Sequence, residues 1–473
     1  MSDSELEVPP EDVPAGETAD SRHDEDDRLR PEFVREVLAR IEAGDPDGAR
    51  ALVEPLHPAD IADLLELVDR EERRALASAL AEMLDGDVLA EMNDWVRDEL
   101  LDALEPHQVA ELAGELETDD AVALIEDMEE EDQRAVLRAL DPDDRAAIEE
   151  ALSFPEESAG RLMRRDAVAV PEHWTVGQVI DFLRSGEDLA NDFFEIFVVD
   201  PSHHPVGTCL LSWILRTPRR IRIADVMQRE QTLIPVDMDQ EEVGLRFQKY
   251  ALVSAAVVDQ SGRLVGMITV DDIVHIIQEE ASEDALLMSG AGVEGDINEP
   301  VRDSYKARVR WLITNLATAL VAATIILMFG AAIEEMVALA ALAPIVASIG
   351  GNAGTQTMAV SVRALALNQL TRSNTWRTIW REILVALLNG LTIAVLLGTG
   401  AALVFADPQL GAVIAAAMMI NILVAGLSGV VVPVVLERFG QDPAVASSVF
   451  VTMITDSMGF FVFLGLAVAS GLV

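Results

Sequence analysis

From Ala444 to Val473 the chain reads AVASSVFVTMITDSMGFFVFLGLAVASGLV, an apolar run whose one charged side chain is Asp456. A helix needs about 20 residues to cross a bilayer, so the run is long enough and carries the carboxylate well inside. An aspartate at the centre of a spanning helix costs roughly 2.5–3.5 kcal/mol on insertion scales. A chain that keeps one there is expected to use it on an ion. Further apolar runs precede it, so five spans are expected, at Trp311–Ala331, Val337–Leu365, Thr378–Phe405, Leu410–Leu436 and Ala444–Leu472. Lys306, Arg308 and Arg310 stand before the first, Arg363, Arg372, Arg377 and Arg381 flank the turn after the second, and Arg438 follows the fourth. Glu334, Glu335 and Asp407 mark the opposite side. By the positive-inside rule the N-terminus is cytoplasmic, and the odd number of spans puts Val473 outside the cell membrane.

Span two holds PIVASIGGNAGTQ from Pro344 to Gln356. Its glycines let helices approach closely or leave carbonyls free, and Asn352 and Gln356, four apart, present amide oxygens on one side. A phosphate-binding loop is excluded, because no Gly-Lys-Ser/Thr follows and the run is intramembrane.

Of the 82 acids all but seven precede Trp311, as do all but five of the 34 Lys and Arg residues, leaving residues 1–310 with 75 acids against 29 bases, a charge of −46. Such a surface repels nucleic acid and attracts cations. Lys249 and Lys306 are the only lysines, so salt adaptation explains much of this acidity equally well. Cys209 is the single cysteine, which excludes an intrachain disulfide or a cysteine-based zinc site. Met1 to Arg30 is polar, acidic and proline-containing, without the apolar stretch of a signal peptide, and is expected to be a disordered tail.

From Pro31 to Ser153 apolar residues recur at three- and four-residue spacing, as in Ile61, Leu64, Leu65 and Val68. Helix starts are signalled at His57-Pro58-Ala59-Asp60, Glu105-Pro106-His107-Gln108, Thr118-Asp119-Asp120 and Asp141-Pro142-Asp143-Asp144, because proline fits a first turn and acids there oppose the positive helix end. Stacked helical hairpins in a superhelical domain are expected. Its acids Asp119, Asp120, Glu126 and Asp127 are either cation ligands or a solvated face.

At Phe154 to Met163 (FPEESAGRLM) helical periodicity stops, and two copies of one pattern follow. Val198-Val199-Asp200, a turn and Gly207 recur as Val257-Val258-Asp259, a turn and Gly266, shifted by 59 residues. Each copy has an early strand (Ala167 to Val170; Leu233 to Val236), a helix (Thr175 to Leu183; Asp239 to Tyr250) and two closing strands. The pattern resembles a pair of cystathionine-β-synthase (CBS) domains, which implies a pseudo-twofold unit that often takes ATP or AMP. In the second copy Gly266 to Asp272 (GMITVDD) matches the ribose-contacting end of that family, with Thr269 and Asp272 as its polar groups; the first copy has Leu210 and Trp213 there.

The run Val270 to Met288 continues as a helix, with Glu280, Glu283 and Asp284 three and four apart on one face. Like charges so placed repel, and either bound cations or solvent must offset them. Ser289 to Pro300 is expected to be a loop.

The order of helical N-domain, SAGRLM junction, CBS pair, acidic connecting helix and five spans resembles the MgtE family of magnesium channels. So do GGNAGTQ in span two and Thr455-Asp456-Ser457-Met458-Gly459 in span five. The resemblance implies a multidomain membrane protein: a tail at 1–30, an all-α superhelical N-domain at 31–153, an α/β CBS pair at 154–277, a connecting (plug) helix and loop at 278–308, and a transmembrane domain of five helices at 309–473. It further implies a homodimer in the bilayer whose pore is lined by spans two and five, with Asp456 holding hydrated Mg²⁺ and Asn352, Gln356, Gly351, Thr452 and Gly459 around it. Cytosolic Mg²⁺ is then expected to close the pore through Asp239, Glu241, Asp271, Asp272, Glu280, Glu283, Asp284 and Asp442. His275 stands where the family often has another acid.

Mg²⁺ demands octahedral oxygen ligation and sheds water reluctantly, so few carboxylates holding a hydrated ion suit it. Two alternatives remain at this stage: transport of Co²⁺ or another divalent cation, and a membrane-anchored nucleotide sensor whose spans only tether. No nucleophile, base pair of residues or histidine cluster argues for an enzyme.

Overall fold

The computed structural model describes residues 22–126, 128–185, 189, 193–292, 295, 297–371 and 373–473; Asp127 and Arg372 lie outside the described residues. The chain divides into two compact units, Met1–Val243 with Leu252–Val270, and Gly244–Ala251 with Asp271–Val473.

The first unit opens earlier than expected. Residues 1–21 of the predicted tail lie outside the described residues, but its last residues join the helical domain: His23 bridges Leu29, Arg30 Nε donates to the His23 carbonyl at 2.5 Å, and Leu29 is buried with the helical core. Ten short helices follow among the described residues, from Pro31–Glu42 to Pro142–Ala151. The sequence start signals mark their first turns. Helices begin at Pro58, Pro106, Thr118 and Pro142, and His57 and Asp60 form a reciprocal cap of the kind that satisfies otherwise orphaned amides. Ile61, Leu64, Leu65 and Val68 are all buried. One charge network is buried among them: Arg73 donates to the Leu65 carbonyl at 2.8 Å and to Glu99 at 2.9 Å. Burial alone would raise the Glu99 pKa, but Arg70 and Arg73 outweigh it and hold the carboxyl below its ordinary value.

Two three-stranded sheets then repeat one topology. Strands β1 (Ala169–Pro171), β2 (Glu195–Val199) and β3 (Pro205–Leu210) pair in that order, as do β4 (Leu233–Pro235), β5 (Ser254–Val258) and β6 (Leu264–Thr269). In each sheet the first pair is parallel and the second antiparallel, with Val198 opposite Gly207 and Val257 opposite Gly266. The repeated aspartates build the hairpins. Asp200 Oδ1 accepts from the amides of Ser202 and His204, and Asp259 Oδ1 from those of Ser261 and Arg263. These amide bonds, the Arg263 one foremost, hold the Asp259 carboxyl down at about 2. The repeated glycines have a steric cause. A Cβ at Gly207 would lie 2.6 Å from the Gln228 carbonyl, and one at Gly266 2.6 Å from the Arg164 carbonyl, because an isolated bridge crosses each strand there. The two sheets share a core of Phe197, Val199, Ala256, Leu264 and Met267, and Ser254 donates to Glu195, its counterpart 59 positions earlier.

The second unit contains the connecting helix Val270–Ser289 and five helices long and apolar enough to cross a membrane among the described residues. They are Val301–Met328 (span one), Val337–Ala366 (span two), Thr375–Val404 (span three), Pro408–Arg438 (span four) and Pro443–Ala469 (span five). Each begins or ends within about three turns of its expected bound, since apolar composition marks the bilayer segment and not the helix end. Span four packs against spans two, three and five, whereas span one packs on span five and exposes Leu312, Ile313, Leu316 and Leu320. Small residues permit the close approaches: a Cβ at Gly429 would meet the Gly354 carbonyl at 2.8 Å, and one at Gly411 the Gly398 carbonyl at 2.6 Å. Trp376 and Trp380 stand exposed at the start of span three, where amphipathic rings suit the membrane interface.

Candidate cation pathway

The two polar motifs meet. The glycine face of span two lies on span five, where a Cβ at Gly354 would fall 2.6 Å from Val451 Cγ1 and 3.2 Å from Thr455 Cγ2, and one at Gly351 3.9 Å from Thr455 Oγ1. Thr455 is fully buried, with its hydroxyl donating to the Thr452 carbonyl at 3.0 Å. Asp456, the next residue, therefore turns about 100° away from that seam. It is half-buried, and Thr452, one turn before it on the same side, is exposed. On span two Ser348, Asn352 and Thr355 form a polar exposed stripe opposite the packed glycines. Gly459 is buried against Asn421 and Ala347, which gives it a packing role.

Gln356 is exposed too, but it borders a different space. A cavity of about 190 Å³ between spans two, three and four is lined by Gln356, Thr357, Arg381, Glu382 and Asn389, among others. Glu382 is 6% exposed and accepts from Arg381 Nη1 at 2.6 Å. The second residue that the sequence did not single out is Asn421, fully buried in span four, whose amide donates to the Val346 carbonyl at 2.9 Å. Asn421 carried a signal of the same kind as Asp456, a polar side chain within an apolar run, whereas Glu382 follows Arg381 near the start of span three.

The end of this unit that carries the connecting helix brings two predicted regulatory acids near each other. Asp442 caps span five, its Oδ1 accepting from the Ala444 amide at 2.7 Å. Asp284 is half-buried on the connecting helix, and burial first, then the nearby Asp442 charge, pushes its carboxyl above the usual range. Past it, Leu287 and Met288 pack with Met358 and Val362 of span two and Ala444 and Val451 of span five. The connecting helix ends there at Gly290, whose φ of +74° suits glycine; its amide bonds the Leu287 carbonyl and that of Ala291 the Leu286 carbonyl. Glu280 and Glu283 are half-buried on the same helix, while Asp271 and His275 are exposed.

In the first unit, Glu117, Asp119 and Asp120 bring carboxylate oxygens within 4.8 Å of one another. Arg164 of the junction pairs with Glu117, and Arg161 reaches Glu126 at 2.5 Å. Asp239 accepts from the Glu241 amide at 3.0 Å, so it caps the helix Gln240–Tyr250. Thr269 is buried at the end of β6, and its counterpart in the first copy is the half-buried Leu210.

Comparison with known proteins follows the same division. The MgtE family model, a divalent cation transporter, matches residues 343–466, the MgtE intracellular N domain residues 56–157, and the CBS domain the second copy at 223–279. The magnesium transporter MgtE of Thermus thermophilus is 34% identical over 317 residues, 66% of this chain and 70% of that protein. The chain belongs to the MgtE family. The magnesium transporter MgtE of Enterococcus faecalis is 32% identical over 320 residues, 67% of this chain and 70% of its own length. A crystal structure of the cytosolic domain of the Mg²⁺ channel MgtE in complex with ATP, 31% identical, covers 51% of this chain and 99% of that one with a TM-score of 0.47. MgtE proteins are membrane transporters, so the five apolar helices are spans of a multi-pass membrane protein and not buried core helices.

Proposed function

We propose that this MgtE chain conducts Mg²⁺ across the cell membrane as a homodimer, with Asp456 holding the hydrated ion. The observation that carries the reading is a half-buried carboxylate inside a bilayer-length helix, one residue from the seam where Thr455 meets the glycines of span two. Asn352, Thr355 and Thr452 are exposed at membrane depth in a single chain. Polar groups there need water or a partner, and a second copy facing them around a wet axis supplies both. Two Asp456 carboxylates across that axis repel each other until a divalent ion stands between them, which favours charge two over charge one. The N-terminus is then cytoplasmic and Val473 outside.

Gating follows from the acids. With cytosolic Mg²⁺ scarce, Asp284 and Asp442 repel and the end of the connecting helix lifts from spans two and five. With Mg²⁺ abundant, the ion bridges them and the apolar contacts of Leu287 and Met288 hold the closed state. Asp239, Glu241, Asp271, Asp272, Glu280 and Glu283 add further cation sites, and adenine nucleotide binds at the second CBS copy through Thr269 and Asp272. Purified protein in liposomes loaded with a Mg²⁺ indicator tests the reading. Uptake that Co²⁺ outcompetes at equal concentration would reassign the cargo, and tight ATP binding without any ion flux would leave only a tethered sensor.

A further inference from the structure

We propose that Asn421 is a positioning residue of the conduction pathway, the spacer that sets the distance between the glycine segment of span two and the Asp456-bearing span five. Asn421 is 0% exposed in the middle of span four. Its side chain fills one slot formed by two glycines, one from each polar motif: a Cβ at Gly350 would lie 2.0 Å from Asn421 Nδ2, and one at Gly459 2.8 Å from the same atom. Nδ2 donates to the Val346 carbonyl, which ties the amide to span two one turn before Gly350. Oδ1 is buried with no partner among the described residues. A leucine of similar size would fill the slot without burying an unpaired oxygen, so stability alone does not account for an amide here. The amide instead fixes span two in register by a directed bond, while its bulk keeps Gly350 and Gly459 apart. It therefore acts through Asn352 and Asp456, whose separation depends on how closely these two helices approach.

The inference rests on the transport reading, and the test separates the two. In full-length protein in lipid, Gly351→Cys with Thr455→Cys forms an oxidisable pair across the seam, and Cys209, buried in the CBS region, does not interfere. Gly459→Ala is expected to slow that oxidation about tenfold, and adding Asn421→Ala to restore it within about twofold, since the two changes share one slot. Gly354→Ala clashes with Val451 instead, so Asn421→Ala should not rescue it. In flux assays Asn421→Ala should shift the Mg²⁺ half-saturation by about threefold or more and relax discrimination against Ca²⁺, and Asn421→Ala with Gly459→Ala should recover both. A pair whose oxidation ignores residue 421, or an Asn421→Ala variant that loses folded protein but keeps half-saturation and ion discrimination, overturns the proposal. A wild type that carries no Mg²⁺ overturns the transport reading while the oxidation rates still decide the spacing.

Discussion

Replacing Asp456 by asparagine removes one charge and keeps the shape. The half-buried setting places the carboxylate between bulk water and protein interior, so effective dielectric constants of about 80 and 20 bracket the interaction. At ~4 Å, unit charges then attract by ~1 to ~4 kcal/mol, and a divalent ion by twice that. The lower bound of ~2 kcal/mol is already about 30-fold in occupancy, and a dimer loses the term twice. Mg²⁺ uptake at subsaturating concentration should therefore fall at least about 30-fold in Asp456→Asn, while a monovalent ion, losing half the energy, should fall by only the square root of that factor. The assay is indicator fluorescence in liposomes with protein matched by size-exclusion profile, Mg²⁺ and Na⁺ run side by side, and Asp456→Glu as the charge-retaining control. Uptake kept within about threefold, or equal losses for the two ions, would refute the assignment of Asp456 to the permeating cation.

Asp284, with its raised pKa, works in the opposite direction from a salt-bridged acid. Its docked position is favoured fully below the ordinary carboxylate range, and that contribution is lost as pH rises through the raised value. In Mg²⁺-free buffer, acidification should thus increase hydrogen-exchange protection of residues 284–291, and Asp284→Asn should hold that protection high at all pH values and weaken its dependence on Mg²⁺. Glu99 has the reverse sign: its depressed pKa gives stability above the ordinary range that is lost as pH falls through the lower value. Arg73→Ala, which leaves Glu99 partly buried beside only exposed arginines, should cost about 3 kcal/mol in thermal unfolding at neutral pH and less in acid. Gly266→Ala and Gly207→Ala each force a strand away from a crossing backbone and should each cost about 1–3 kcal/mol, read as a lower unfolding temperature of the CBS pair.

What could be foreseen depended on whether a residue's role is local. Helix starts such as His57-Pro58 and Asp141-Pro142 were legible because capping and a first-turn proline act within four residues. The CBS hairpins were legible because Asp200 and Asp259 organise their own turns, so a 59-residue shift copied the geometry along with the letters. Asp456 stood out because solvation energy is a property of depth in oil, and depth can be counted from the ends of an apolar run. The same reasoning reached Asn352 and Gln356 but gave them one face, whereas Gln356 also borders the cavity of Glu382 on the far flank of span two. Residues four apart differ by about 40° around a helix, enough to fall beside different neighbours once three helices surround the segment.

Asn421 was missed for a related reason. It is one polar residue in an apolar run, the signal that marked Asp456, yet it lies in no motif with a second polar group nearby in sequence, whereas Glu382 follows its partner Arg381 near the start of span three. The neighbours of Asn421 come from other spans: it is matched by Gly350 and Gly459, 71 positions before and 38 after it. A glycine in a membrane helix says only that something approaches closely. Which side chain does so is decided by the register of three helices at once, and that register is a property of packing that no single span contains. The glycines of the two motifs and the lone amide of span four are thus one feature distributed over three helices, and only the assembled bundle shows that moving any of the three alters the other two.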